Sequence, residues 1–292
     1  MKKATIPEKA FDGAIIAIVT LLAVISVYPL LYVAFASVSD GDQLMSHTGL
    51  LLKPYSFNLD AYHMVFKNRN ILTGYSNTLF IVFASLLINL TMTSMAAYVL
   101  SRKQVLWNPL FMFMIVFTMF FHGGLIPFYL IVKGVGLLNS LWSVIIPFAI
   151  NTFNLIIMRT SFMAIPDTLE ESAKIDGANH FVIFTRIIIP LSLPVLAVIT
   201  LYYSVEKWNA WFYASIFLKD REMYPLQLIL REILIANNTD SMSGGTSMDR
   251  GVQVAETIRY ATIMVATVPI LFVYPFVQKY FVKGVMVGAL KG

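Results

Sequence analysis

Long uncharged runs alternate with short polar ones along this chain. The first run, Gly13–Ala36, carries no charge, and a membrane-spanning helix needs about twenty such residues. It is too long for the apolar part of a signal peptide, about 7–15 residues, so it is expected to be a retained first span, kinked at Tyr28–Pro29. Ile71–Leu100 is the second run, closed by Ser101, Arg102 and Lys103. The third, Val105–Val132, is interrupted by Gly123, Gly124 and Pro127; it predicts a span as far as about Phe121 and then a re-entrant or interfacial piece. Gly134–Met158, Ile187–Val205 and Tyr260–Val277 complete the set. The pattern predicts an all-α membrane protein with six transmembrane helices over residues 13–282, between an N-terminal tail, 1–12, and a C-terminal tail, 283–292.

Between the fourth and fifth runs lies the polar stretch Pro166–Pro194, PDTLEESAKIDGANHFVIFTRIIIPLSLP. It reads as a short helix with explicit ends. Asp167 is expected to be its N-cap, with Glu170 completing a capping box. Glu170 and Glu171 put negative charge in the first turn, where the helix dipole favours it. Gly177 supplies a left-handed exit. Leu169, Ala173 and the run Ile175–Ala178 form a small, mostly apolar face. A tethered amphipathic helix of this kind is either a docking element or a surface helix lying among lipid headgroups.

Composition supports lipid as the solvent. Of the residues 58% are hydrophobic and 13% charged, about half the charged share of a soluble domain. The net charge of +5 is spread over the loops and forms no basic face of the kind nucleic acid needs. With six spans and the N-terminus inside, eleven Lys and Arg and six Asp and Glu fall on the inner side, against ten of each outside. That positive-inside bias places both termini and the 166–190 stretch in the cytoplasm. The chain has no Cys, which excludes a disulfide framework and thiolate ligands.

Recognisable catalytic chemistry is missing. No G-x-x-x-x-G-K-[ST] loop is present to cradle phosphates, so the chain is not expected to bind ATP or its magnesium ion. His47, His63, His122 and His180 have no metal-ligand spacing, and neither H-E-x-x-H nor G-x-S-x-G occurs. No acid or base stands mid-span in the six runs as drawn, and an ion-coupled transporter ordinarily needs such groups. A secondary transporter or channel, and a membrane-embedded enzyme, are therefore the weaker readings. Asn89, Thr91, Thr93 and Ser94 suit packing between spans. Asn77, Asn151, Tyr203 and Trp208 are the candidates for a solute path, as hydrogen-bonding amides and aromatic side chains in or beside the runs, and Pro147 marks irregular backbone near Asn151.

The order Glu171-Ser172-Ala173, three residues, Gly177, nine residues, Ile187, one residue, Ile189-Pro190 resembles the E-A-A-x3-G-x9-I-x-L-P signature of permease subunits of bacterial ABC importers, the binding-protein-dependent inner-membrane components. Ser172 and Ile189 depart from it modestly. Asp176-Gly177-Ala178, Trp208-Asn209, the segment from Ser56 to Phe66 and the patterns NTLF and AAYVLSRK extend the likeness to the carbohydrate branch. Residues 278–292 resemble the C-terminus of a subgroup importing complex oligosaccharides. The resemblance implies a type I importer fold in the cytoplasmic (inner) membrane. Its 166–190 loop would be a coupling helix, with Glu170, Glu171, Ser172, Ala173, Asp176, Gly177, Ala178 and Pro190 serving the ATPase contact. Glu171 would meet a basic residue there, and Pro190 would start the fifth span. The implied partners are a second permease, two ATPase subunits that bind ATP and magnesium, an extracytoplasmic solute-binding protein, and an oligosaccharide substrate such as an alginate or pectin fragment.

Overall fold

A computed structural model describes residues 6–235 and 256–272. Among these residues there is no strand. The helices in order are α1 (Ile6–Ser37), α2 (Gly41–Ser46), α3 (Asp60–Lys67), α4 (Arg69–Ser101), α5 (Asn108–Phe120) and α6 (Leu125–Gly134). Short 3-10 turns at Leu141–Val144 and Ile146–Phe148 follow, then α7 (Thr152–Met163), α8 (Asp167–Ile175) and α9 (His180–Ile183). A π-turn at Phe184–Ile188 leads to α10 (Ile189–Leu191), α11 (Leu193–Trp208), α12 (Phe212–Phe217) and α13 (Leu226–Ile235). Residues 256–272 form α14.

Two helices are long and apolar enough to cross a membrane unbroken: Phe11–Ser37 within α1, and α4. Three helix pairs are long and apolar enough only when taken together, and each is bent, as a broken span or a re-entrant loop would be: α5 with α6 at 115°, Leu141–Phe148 with α7 at 44°, and His180–Leu191 with α11 at 82°. The third run therefore behaves as the sequence predicts, stopping at Phe120 before Gly123 and Gly124. Gly124 holds φ at +84°, which favours a residue without a Cβ.

Two of the expected spans begin elsewhere. The fourth was expected over Gly134–Met158; its regular helix starts only at Thr152 and runs to Met163. Pro147 sits in the second residue of a 3-10 turn, and the Asn151 side chain caps α7 by accepting from the N–H groups of Phe153 and Asn154. Pro190 does not open the long helix of the fifth run. That helix, α11, starts at Leu193, past the bend, with Pro194 in the first turn, where its missing N–H costs nothing. It also continues to Trp208, three residues beyond the expected end. The region after it is no simple loop, since it holds α12 and α13. The end of the sixth expected span and the C-terminal tail lie outside the described residues.

The chain forms two compact units. One contains the described residues up to Arg69 and Leu230–Val268. Its small core is Ala36, Leu44 and Leu51, with Tyr32, Phe35, Tyr55 and Tyr260 packed against it. Asp40 caps α2, and the hydroxyls of Ser37 and Tyr62 meet at 2.8 Å.

The other unit, Asn70–Ile229 with the described residues from Pro269 on, is built along α4. The second half of α4 supplies Ala97, Tyr98 and Leu100 to one core cluster, with Leu155, Met158, Phe162, Ile183, Ile199 and Tyr203. Its first half supplies Ile81 and Ala84 to another, with Val132, Ile145, Phe217 and Leu228. The buried face of α4 includes Gly74, Thr78, Ser85, Asn89, Thr93, Ala97 and Ser101, small or polar residues four or seven apart. A stripe of that kind lets helices approach closely in lipid. Thr78 Oγ1 accepts from the Leu226 N–H at 2.9 Å, and a Cβ on Gly74 would lie 2.6 Å from Ile229 Cδ1 and 3.2 Å from Leu226 Cα. Gly74→Val is therefore expected to destabilise the purified protein by about 1–3 kcal/mol, read as a lower midpoint of thermal unfolding.

Candidate functional site

The 166–190 stretch folds as a nine-residue helix, α8, about two and a half turns. Its N-terminus differs from the expected capping box. Pro166 occupies the cap position without a side-chain bond, and Asp167 is the first helical residue. Asp167 instead pairs with Lys103 at 3.0 Å on the exposed surface, a contact worth little in water. The C-terminus is as expected. Gly177 has φ +84°, its N–H bonds to the Lys174 carbonyl at 3.0 Å, and the Ala178 N–H reaches back to the Ala173 carbonyl at 2.9 Å. This pair of bonds is a Schellman closure. Nothing lies within 4 Å of a Cβ placed on Gly177, so conformation, and not space, demands glycine there.

Two neighbouring glutamates differ sharply in burial. Glu170 is 6% exposed. Its carboxylate accepts from Arg102 Nη1 at 2.5 Å, lies 3.2 Å from Lys174 Nζ and receives the Tyr98 hydroxyl at 3.5 Å. The Arg102 guanidinium stacks 4.9 Å above the Tyr98 ring, and Tyr98 also meets His180 Nδ1 at 3.3 Å. Glu170 thus ties α8 to the last turn of α4 through a buried ion pair. Glu171 is exposed and borders a cavity of about 440 Å³ that Glu170, Arg102, Lys103, Lys174 and His180 also line.

The other motif residues divide the same way. Ala173 and Ala178 pack against the core cluster around Tyr98 and Phe162. Leu169 and Ile175 point outward at 43% and 87% exposure. The apolar face expected as one surface is therefore two: small residues turned inward for close packing and larger ones left open. Ser172 donates to the Thr168 carbonyl four residues back, which explains how Ser stands where the signature has Ala. Asp176 is exposed at the helix end. Pro190 lies just beyond the π-turn, where the Ile189 N–H reaches the Phe184 carbonyl five residues back; the wider turn precedes the residue that cannot donate.

The four path candidates are scattered. Asn77 donates to the carbonyls of Glu222 at 2.7 Å and Tyr224 at 3.1 Å, anchoring the segment before α13. Tyr203 is fully buried, and its hydroxyl joins Thr93 at 2.7 Å and the Asn151 N–H at 3.0 Å. Trp208 packs edge-on against Tyr75, and its indole nitrogen has no hydrogen-bond partner among the described residues. Asn151 alone borders an open groove of about 550 Å³, shared with Phe153, Asn154, Leu201, Tyr202, Val205 and Glu206. Asn77 and Tyr203 thus carry structural bonds.

Two charged residues were missed as site residues. Arg102 reads in the sequence as a stop signal after a span; only the fold brings it to Glu170, 68 positions away. Lys207 falls just beyond the fifth run as drawn, yet it lies inside α11 and is 4% exposed. Among the described residues, Glu170 and Lys207 are the buried charged ones. No grouping of His, Cys, Asp or Glu suited to a metal occurs among them.

The family described as "Binding-protein-dependent transport system inner membrane component" matches residues 103–287. The polygalacturonan/rhamnogalacturonan transport system permease protein YtcP of Bacillus subtilis (strain 168) is 42% identical, covering 98% of this chain and 99% of that protein. Protein LplC of the same organism is 39% identical, over 97% and 96% of the two chains. A crystal structure of a bacterial ABC transporter involved in the import of the acidic polysaccharide alginate contains a chain that superposes with a TM-score of 0.87 at 31% identity, over 96% of this chain and 100% of that one.

The construction of α8 makes separate expectations for its two glutamates. Glu170→Gln leaves Arg102 buried without its counter-charge and is expected to cost about 3 kcal/mol. Glu171→Gln is expected to change stability by no more than about 0.5 kcal/mol. Gly177→Ala forces a Cβ into the left-handed region, at about 1–2 kcal/mol. Thermal unfolding of the three purified variants beside the wild type checks all of them.

Proposed function

Because this chain belongs to the family of binding-protein-dependent transport system inner membrane components, we propose that it is the permease subunit of an ABC importer for acidic oligosaccharides, coupled through α8 to a separate ATPase. It is an inner-membrane transport component with the all-α permease fold. Beyond that, the proposed assembly contains a second permease that shares the translocation path, two ATPase subunits that bind ATP and magnesium, and an extracytoplasmic solute-binding protein. Both termini and α8 lie in the cytoplasm in this reading, supported by the distribution of Lys and Arg. The chain itself carries no cofactor and no catalytic residue.

One observation carries the coupling role. α8 presents Glu171, Leu169 and Ile175 outward while Glu170 secures its other side to α4 through Arg102. A helix held that way cannot slide freely over its own protein; a displacement imposed on its outer face is passed to α4. An exposed carboxylate with the exposed Ile175 side chain one turn on suits a cleft with a basic residue and an apolar wall. Glu171, Ser172, Leu169 and Ile175 would form the contact. Glu170, Ala173, Gly177 and Ala178 would hold its shape, and Asp176 and Pro190 would border it. The acidic substrate is supported by what the relatives handle: a polygalacturonan/rhamnogalacturonan system and an alginate importer.

The test is ATP hydrolysis and uptake by the complete reconstituted importer, with binding protein and a galacturonate oligosaccharide. Wild type is expected to hydrolyse ATP faster when the loaded binding protein is present. Glu171→Ala is expected to assemble and to lose about tenfold of that stimulation, the loss of one charge-assisted contact. Unchanged stimulation and uptake in Glu171→Ala would remove α8 as the coupling element. Absence of any stimulated ATPase would return the chain to the ion-coupled reading.

A further inference from the structure

Lys207 stands in the last turn of α11, at the end of that helix remote from α8 and about 20 Å along it. A buried ammonium in a membrane span is costly and marks a functional site by default. The two buried charges of the described residues are satisfied very differently. Glu170 has a guanidinium, an ammonium and a hydroxyl within 3.5 Å. For Lys207 the nearest carboxylate oxygen is Glu206 Oε1 at 3.8 Å, well beyond the roughly 2.7–2.9 Å of a charge-assisted hydrogen bond. Its other neighbour is the face of the Phe148 ring, 4.8 Å from Nζ. The ammonium therefore retains donor capacity.

Lys207 lines a cavity of about 310 Å³, with Phe148, Glu206, Asn209, Trp211 and Tyr213 among its walls. That volume is at the lower end of small-molecule sites, about 300–1,000 Å³, room for a sugar unit and not for a polymer. The rings of Phe148 and Tyr213 lie 4.7 Å apart, and Trp211 adds a broad apolar surface with a polar edge. Glu206 belongs both to this cavity and to the open groove that holds Asn151. Its side chain is 42% exposed, and its other oxygen lies 3.5 Å from the Asn151 amide nitrogen. It can turn toward water at little cost when a second carboxylate arrives.

We propose that the cavity around Lys207 is a subsite for the carboxylate of one acidic sugar unit, which accepts from the Lys207 ammonium while its pyranose ring lies against the aromatic walls. Glu206 covers the ammonium while the site is empty and yields the position to the substrate carboxylate. The proposal rests on the acidic-oligosaccharide reading above and adds the residue that senses the charge. A neutral sugar offers the ammonium hydroxyl acceptors only, and those bonds are about half as strong.

The complete importer in lipid nanodiscs tests this by equilibrium dialysis, without the binding protein, against tri-galacturonate and its carboxyl-reduced neutral counterpart. Wild type is expected to bind the acidic probe about tenfold more tightly than the neutral one. Lys207→Met is expected to bind the two equally, while Lys207→Arg keeps the preference. A wild type without preference, or without measurable binding, overturns the subsite. So does a preference that survives in Lys207→Met. Loss of assembly in Lys207→Met and Lys207→Arg alike would make Lys207 a structural residue and also overturns it. Uptake by wild type with the binding protein present separates the two readings: import of tri-galacturonate with no preference in dialysis sinks the subsite alone, and no import sinks the substrate reading with it.

Discussion

Helices in lipid gain nothing from hiding apolar side chains from one another, because the surrounding acyl chains are equally apolar. Close approach and polar contacts must hold them, and α4 shows how this chain does it. Its buried face runs from Gly74 through Thr78, Ser85, Asn89 and Thr93 to Ser101, and it takes part in both core clusters of its unit. The Leu226 N–H bonds to Thr78, and Tyr203 bonds to Thr93. At 33 residues the helix is about 50 Å long, more than the roughly 30 Å hydrocarbon core, so part of it must project beyond lipid. Arg102, the residue after its end, is where α8 is fastened.

The Arg102–Glu170 pair gives that fastening its direction. A buried pair contributes little net stability compared with a well-packed apolar substitute, yet breaking it from one side is expensive. Its use is geometric: it fixes which side of α8 faces inward. With Glu170 committed to Arg102 and Lys174, the next residue, Glu171, is turned outward by the helix period. The Schellman closure at Gly177 then folds the chain back so that Ala178 joins Ala173 on the core. The exposed face and the anchoring face of α8 are thereby specified by one short sequence.

The bent spans follow from local backbone chemistry. Proline and glycine interrupt three of the apolar runs, and each interruption becomes a change of direction, of 115°, 44° and 82°. Irregular backbone at membrane depth needs other protein or a water-filled cavity beside it. Here caps and polar side chains answer that need: Asn151 on α7, the Tyr203 hydroxyl on the Asn151 N–H, and Asn139 accepting from the N–H groups of Lys219 and Asp220. The cavity holding Lys207 lies between the Leu141–Phe148 turns, α12 and the end of α11.

Much of this was legible in the amino-acid order, because the signals are local. Uncharged runs of sufficient length dictate helices in lipid, Gly177 dictates the left-handed exit of α8, and Gly123 and Gly124 dictate the break after Phe120. The spacing of Glu171, Gly177 and Pro190 carried the family resemblance. The order of residues could not decide what depends on neighbours distant in the chain. It gave Asp167 the cap, whereas Lys103 claims its side chain; it treated Glu170 and Glu171 as equivalent, whereas Arg102 buries one of them. It offered Asn77 and Tyr203 to the path, whereas carbonyls and hydroxyls from other helices occupy their polar groups. It ended the fifth span before Lys207, since a charge looks like an end until the fold supplies a ring face and a carboxylate to receive it. Sequence sets backbone propensity and the apolar pattern; which polar groups are satisfied, and by whom, is decided only when the helices pack.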